Sequence, residues 1–394
     1  MSENKEMDKD LDNLLNRGVE EIIDRKKLEE KIKSGKKLRV KLGIDPTSSN
    51  IHLGRSIPLL KLRDFQKMGH QIVLIIGDFT GLIGDTSDKE SERPMLSEEA
   101  VSKNLETYIA QAGKIIDIDK AEIYHNSDWL GKLKYKDIGT QADAFSLNEF
   151  ISRENIKKRL DAGKRVSLRE LLYPLMQGYD SVEVKSDVEI GGTDQRFNLL
   201  AGRDLQRLYG QEAQDILTNP LIEGLDGRKM SSSFGNTVNL LDSANDMFGK
   251  IMSLKDEFII KYFVLLTRID SDEIKKYEEE LKQGNNPRDI KMALAREIVK
   301  MYHSKEEADE ASDYFIKTIS KKEIPDEMPE FAAKERDVIS VLSDSALVKS
   351  KTEAKRLIEQ GGVKVNGEVI KDFAFEVASG AVLQKGKFTF IKVL

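Results

Sequence analysis

The chain has 394 residues, 34% of them charged and 39% hydrophobic, with a formal net charge of −6 at pH 7 and no cysteine. That length predicts two or three domains with ordinary cores. The acidic balance excludes an overall basic coat, so any nucleic-acid contact must come from local patches.

The missing cysteines remove disulfides, thiolate metal sites and cysteine nucleophiles, and fit a reducing compartment. The four histidines, His52, His70, His125 and His303, include no pair at metal-ligand spacing, so no protein-built metal site is expected. The first 35 residues are densely charged, do not read as a secretory signal, and suggest a pair of amphipathic helices. No run approaches the ~18 apolar residues of a membrane span. A soluble cytoplasmic protein is expected.

From there the elements alternate. LRVKLGI (38–44) predicts a strand, SIPLLKLRDFQKMG (56–69) a helix closed by glycine, and QIVLIIG (71–77) a buried parallel strand. A helix is expected over 97–113 and a third strand over 121–126. This β-α-β-α-β order argues for an α/β fold, a Rossmann-like doubly wound parallel sheet. The helical pattern over 136–178 reads as an insertion between the halves of the sheet. Strand returns at 185–192, helix at 194–210, and a loop rich in glycine and serine closes the sheet domain over 217–236. Residues 242–318 read as helical. SKKEIPDEMPEFAAKE (320–335), with two of the eight prolines, is the linker candidate. Beyond it, 336–394 carries a net charge of +3, which leaves −9 on the remainder, so a small basic module follows an acidic body.

Two stretches could hold an anionic ligand. In GIDPTSSNIHLGR a strand ends near Gly43 and a helix begins near Gly54; the helix start offers unpaired N–H groups and a positive dipole end. Gly54 allows close approach, His52 can donate to a phosphate oxygen, and Thr47 adds a hydroxyl. In GLDGRKMSSSFGN, Lys229 stands among Ser231, Ser232 and Ser233 between glycines, a donor-rich loop able to close over a triphosphate. Alone, each is as readily an ordinary surface turn.

Together they resemble the paired signatures of class I aminoacyl-tRNA synthetases, here HLGR (52–55) and KMSSS (229–233). GDFTGLIGD (77–85), YPLMQGYDS (173–181) and IGGTDQRFN (190–198) narrow the resemblance to the bacterial tyrosyl-tRNA synthetases, over nearly the whole chain. Tyr173, Gln177 and Asp180 fall at i, i+4 and i+7, one helix face.

The resemblance implies a tyrosine pocket built from Lys41, Thr80, Asp85, Tyr173, Gln177, Asp180 and Gln195. Asp180 would accept from the substrate phenol, Asp85, Tyr173 and Gln177 would meet the ammonium, and Gln195 the carboxyl end. It implies an ATP site with Gly43, Asp45, Gly54, Gly192, Asp194, Met230 and Ser231, in which Asp194 takes ribose hydroxyls and Asp45 faces the ammonium or ribose. Thr47, His52, Arg55, Lys89, Arg93, Lys229 and Ser232 would serve the phosphates, Lys89 and Arg93 from a mobile loop. Magnesium would arrive with ATP.

The resemblance further implies a catalytic domain over 1–240, with dimer-interface helices at about 130–180. A helical anticodon-arm domain over 241–325 and a small α+β RNA-binding domain over 336–394 would follow. In the last, Lys349, Lys351, Lys355 and Arg356 give a helix a basic side, and Val363, Val365 and Val369 alternate about the hairpin turn Asn366–Gly367. The expected partners are a tRNA for tyrosine, L-tyrosine, ATP and a second copy of the chain.

Three positions depart from the best-known pattern. Arg55 replaces a histidine, Ser232 a lysine, and Lys41 stands where many members have tyrosine beside the substrate hydroxyl. Two alternatives stay open: the tryptophan enzyme of the same fold, which Asp180 and the basic tail disfavour, and a catalytically inactive RNA-binding relative, suggested by Arg55 and Ser232.

Overall fold

A computed structural model describes residues 2–85, 97–320, 328–348, 350–386 and 389–394. It forms two compact units, one from Met1–Leu241 with Lys255–Gln283, the other from Asp242–Leu254 with Gly284–Leu394.

The first unit is built on a six-stranded sheet. Its strands are β1 (Glu21–Ile23), β2 (Arg39–Ile44), β3 (Gln71–Ile76), β4 (Glu122–His125), β5 (Val188–Gly192) and β6 (Asp215–Asn219), in the spatial order β1-β6-β5-β2-β3-β4. All neighbours are parallel except β1, which pairs antiparallel with β6. β1 lies inside the stretch expected to be a helix pair; helices Ser2–Asn16 and Arg25–Lys33 flank it.

The doubly wound arrangement explains the apolar runs. β3 is buried from Ile72 to Ile76, as a strand covered on both faces must be. Helix Leu53–Lys67 buries Leu59, Leu60, Leu62 and Phe65. Helix Leu168–Glu183 carries a Ser167/Glu170 capping box and buries both apolar and polar residues, including Tyr173, Gln177 and Asp180. At Gly178 an added Cβ would fall 2.9 Å from Leu205 Cδ1 and 3.1 Å from the Ala201 carbonyl, so glycine lets this helix approach helix Arg196–Leu208 closely.

The order of the sheet reverses at β2, which has β3 on one side and β5 on the other. β2 and β5 pair through Val40↔Val188 and Lys41↔Glu189, whereas β2 runs on to Ile44 and β5 to Gly192. A crevice therefore opens at the carboxyl ends of these strands, where doubly wound sheets bind ligands.

In the second unit, helices Ala244–Met252, Pro287–Tyr302 and Lys305–Phe315 are joined by a five-stranded sheet of β7 (Glu330–Phe331), β8 (Val363–Val365), β9 (Glu368–Val369), β10 (Val382–Lys385) and β11 (Thr389–Val393), with helices Val338–Asp344 and Lys351–Glu359. β7 pairs parallel with β11, so the stretch read as linker contains a strand of the tail's own sheet. The β8–β9 hairpin turns as its sequence predicts, with φ of 49° at Asn366 and 87° at Gly367. Val338, Leu342, Val363, Leu383 and Val393 belong to the buried apolar core between this sheet and its helices.

Candidate active site

A cavity of about 380 Å³ occupies the crevice, walled by both signature stretches and by one face of helix 168–183. Its lining includes Gly43, Asp45, Thr47, His52, Gly54, Arg55, Thr80, Asp85, Tyr173, Gln177, Asp180, Gly192, Asp194, Gln195, Lys229, Met230, Ser231 and Ser232, all expected site residues. Lys89, Arg93 and Lys349 lie outside the described residues. Lys351, Lys355 and Arg356 are exposed on helix 351–359 of the second unit.

At one end, His52 is the N-cap of helix 53–67 with extended backbone, and the first N–H groups of the helix are bonded within the protein, Leu53 N–H to Val238 O at 2.9 Å and Arg55 N–H to His52 O at 2.8 Å. The two signatures touch, because Gly54 N–H donates to Met230 Sδ at 3.2 Å. A Cβ at Gly54 would lie 3.1 Å from the His52 ring, so glycine lets the imidazole lie against the helix start. Burial, and then the positive Arg55 and Lys229, push the His52 pKa down to about 3. The ring is neutral at physiological pH, and among the described residues its buried Nδ1 has no hydrogen-bond partner.

Arg55 donates to Thr47 Oγ1 at 2.6 Å and to the Tyr108 hydroxyl. It ties the loop after β2 to helix Glu98–Gly113. Asn104 and Gln111 of that helix reinforce the tie by donating to the carbonyls of Pro46 and Ser49. Lys229 pairs with Asp194 across the opening at 2.8 Å. The rest of the second signature is held by Asn236, whose Oδ1 accepts from Ser231 N–H at 2.9 Å, and by Arg228 stacked 4.4 Å over the Phe234 ring.

The other end is polar and deeply buried. Tyr173 donates its hydroxyl to Asp45 Oδ2 at 2.7 Å, and Thr80 donates to Asp45 Oδ1 at 2.7 Å. Gly77 makes room for this carboxylate, since a Cβ there would fall 2.0 Å from Asp45 Oδ1. Burial with Asp45 and Asp85 nearby raises the Tyr173 pKa well above its ordinary value, so it stays a donor. Asp180, only 3% exposed, accepts from Trp129 Nε1 at 2.8 Å and Asn126 Nδ2 at 3.3 Å. Burial raises its pKa to about 7 against the opposing pull of Lys41, Trp129 and Asn126.

Lys41 was expected among the tyrosine-binding residues. It is fully buried and does not line the cavity. Its ammonium donates to Gln177 O at 3.0 Å, Ser181 Oγ at 2.8 Å and Glu189 Oε1 at 2.8 Å. An ammonium has three N–H donors, so these partners exhaust it.

Asn126, Trp129 and Tyr108 escaped the sequence reading. Asn126 directly follows β4 at the carboxyl edge of the sheet, and Trp129 is the chain's single tryptophan. Among the described residues, no three His, Asp or Glu side chains gather as a metal cage, and no helix is long and apolar enough to cross a membrane.

Paired signature loops at the switch point of a parallel sheet are the layout of class I aminoacyl-tRNA synthetases. The sequence profile described as tRNA synthetases class I (W and Y) matches residues 33–320, and that of the S4 domain matches 340–383. The chain belongs to this tryptophan and tyrosine branch of the class I tRNA synthetases.

Within the branch, it is similar to the tyrosine–tRNA ligase of Thermotoga maritima, 46% identical over 385 residues and 96% of each chain. It is similar to tyrosine–tRNA ligase 2 of Clostridium acetobutylicum, 46% identical over 389 residues and 97% of each. Two solved structures share the fold. A C-terminally truncated mitochondrial tyrosyl-tRNA synthetase of Aspergillus nidulans has a TM-score of 0.65 at 22% identity, covering 77% of this chain and 92% of that one. Tyrosyl-tRNA synthetase complexed with L-tyrosine from Archaeoglobus fulgidus has a TM-score of 0.62 at 23% identity, covering 78% and 99%.

Proposed function

We infer that the chain activates L-tyrosine with ATP and transfers the tyrosyl group to the 3′ end of a tRNA for tyrosine. The observation that carries this reading is the buried Asp180 carboxylate at the polar end of a cavity whose other end is formed by both signature loops. A carboxylate held by Trp129 and Asn126 is suited to accept from the hydroxyl of a phenol. Tyrosine–tRNA ligases matched over nearly the whole chain support the same choice over tryptophan.

In the first step the carboxylate of tyrosine attacks the α-phosphorus of ATP. The new bond joins carboxyl oxygen to phosphorus, the α–β bridge breaks, and pyrophosphate leaves. Catalysis rests on alignment and on charge stabilisation. Asp85, Tyr173 and Gln177 hold the ammonium end and Gln195 the carboxyl end. Thr47, neutral His52, Arg55 and Ser232 receive the phosphates together with Lys89 and Arg93. Lys229 leaves Asp194 for the phosphates, and Asp194 then accepts from the ribose. Magnesium accompanies ATP as part of the substrate and adds positive charge at the β- and γ-oxygens. In the second step a terminal ribose hydroxyl of the tRNA attacks the activated carbonyl and AMP leaves.

The S4 match and the exposed Lys351, Lys355 and Arg356 support tRNA contact by the tail. The division into catalytic (1–240), anticodon-arm (241–325) and tail (336–394) domains belongs to this reading. So does a homodimer in the cytoplasm, supported by the exposed Tyr135, Leu147 and Leu168 of the inserted helices. Tyrosine-dependent ATP–pyrophosphate exchange tests the reading: tyrosine should support exchange and tryptophan should not. An inactive chain that still binds tRNA would replace it with the non-catalytic alternative.

A further inference from the structure

The fork of the sheet holds a polar cluster that the reaction does not use directly. Lys41 and Glu189 face each other in register where β2 and β5 last pair, and both are fully buried. Each atom of the pair is engaged. Beyond the three acceptors of Lys41, Glu189 Oε1 accepts from Gln177 Nε2 at 3.1 Å, and Oε2 accepts from Ser181 Oγ at 3.0 Å and from Gln214 Nε2. Asn198 completes the fixing of Gln177 by donating to its Oε1 at 3.0 Å. The cluster fits tightly under helix 196–208, where a Cβ on Gly202 would fall 2.6 Å from Gln214 Nε2.

Two of the tethered residues, Gln177 and Ser181, bracket Asp180 on a single helical turn. The amide plane of Gln177 is set by Glu189 and Asn198, and its carbonyl by Lys41. Burying an ion pair is a poor way to gain stability, because apolar residues of similar volume often do as well or better. Apart from Gln214, every partner of the pair lies on the turn beneath the amino-acid end, which points to orientation.

We propose that Lys41 is a specificity-positioning residue: paired with Glu189 at the fork, it holds the turn that presents Gln177 and Asp180, and so sets the fit for a phenolic amino acid without touching it. This rests on the tyrosine-activating reading above. The family's common tyrosine at this position would reach toward the ligand; here the same position acts from one layer below.

The test compares full-length wild type with Lys41→Met/Glu189→Gln, which removes both charges together and strands neither. Pyrophosphate exchange gives KM for tyrosine, KM for ATP and the kcat/KM ratio of tyrosine over phenylalanine. The expected result is a KM for tyrosine raised and a ratio lowered by on the order of tenfold, the loss of about one well-oriented hydrogen bond. KM for ATP should stay within about twofold, and thermal unfolding should remain cooperative.

Unchanged tyrosine KM and ratio would overturn the proposal, and so would an equal rise in both KM values, which marks general damage. If the double variant does not fold, Ser181→Ala decides. It removes one Lys41 contact and leaves the ion pair, and should raise tyrosine KM alone; no rise would overturn the proposal. A wild type without tyrosine-dependent exchange would instead defeat the functional reading, and the positioning role with it.

Discussion

Asp180→Asn isolates the group that should select the phenol. The amide keeps the shape and one acceptor for Trp129 Nε1, but loses the charge and sets an N–H against Asn126 Nδ2. A hydrogen bond to a charged group is worth about 1.5–3 kcal/mol, so kcat/KM for tyrosine should fall about 10–150-fold. Phenylalanine offers no hydroxyl and should lose little, so the ratio between the two should narrow by nearly the same factor.

The pH dependence adds an independent check. The folded value of about 7 lies above the ordinary 3.8, because burial outweighs the pull of Lys41, Trp129 and Asn126. Tyrosine kcat/KM should therefore rise with pH through about 7 in the wild type, and lack that rise in Asp180→Asn. Stability runs the other way. The folded chain holds this proton more tightly, so its contribution is full below about pH 4 and is lost as pH rises through 7, by at most about 4 kcal/mol. Steady-state pyrophosphate exchange from pH 6 to 8.5, with denaturant unfolding of both proteins, measures these effects. A flat wild-type profile, or an unchanged tyrosine-to-phenylalanine ratio in the variant, would refute the placement of Asp180 at the phenol.

Three further outcomes are expected. His52, with a folded pKa of about 3 against an ordinary 6.5, makes folded protein bind fewer protons than unfolded, so stability should drop as pH falls below about 6.5. At pH 4.5 the loss is up to about 2.7 kcal/mol, and His52→Gln should lack it in denaturant titrations at pH 7 and 4.5. Truncation after Ser320, which spares no part of the sheet containing β7, should keep pyrophosphate exchange and strongly impair tRNA charging; charging at the full rate would remove the tail from tRNA binding. Arg55→His should slow adenylate formation and Ser232→Lys should recover part of the loss, with a coupling of about 0.5–3 kcal/mol in single-turnover measurements, whereas strict additivity would show the two positions to be independent.

The sheet domain was legible because its signals are long and repeated, continuous apolar strands and helices stopped by glycine; the tail hairpin was legible because its turn at Asn366–Gly367 requires a positive φ. β1 was not, because three residues in a charged stretch carry no period, and an edge strand takes its place from pairing with β6. β7 was hidden likewise, by two residues among prolines and charges whose pairing with β11 is remote in sequence. In the site, residues set by motif spacing could be read directly. Asn126 and Trp129 could not, since they meet Asp180 only after the chain has crossed the sheet. The burial of Lys41 away from the cavity was not legible for a related reason. Strand alternation gives the face a side chain points to, but not whether a neighbouring strand supplies Glu189 to engage it.

Several charged side chains that line the site are paired with one another, and this shapes how substrate binding should be understood. Lys229 is matched by Asp194, Asp45 by Thr80 and Tyr173, and Arg55 by Thr47 and Tyr108. ATP and tyrosine therefore exchange partners more than they fill vacancies, and each new contact contributes only its excess over the one displaced. The exchange is easiest where pairs are partly exposed, as at Lys229 and Asp194, with side chains 30% and 21% exposed. It is hardest at Lys41 and Glu189, where nothing is exposed. The site is thus graded from an adaptable phosphate end to a fixed amino-acid end. That grading suits the chemistry: the β- and γ-phosphates must leave as pyrophosphate in every cycle, whereas the pocket that tells one amino acid from another must keep the same shape throughout.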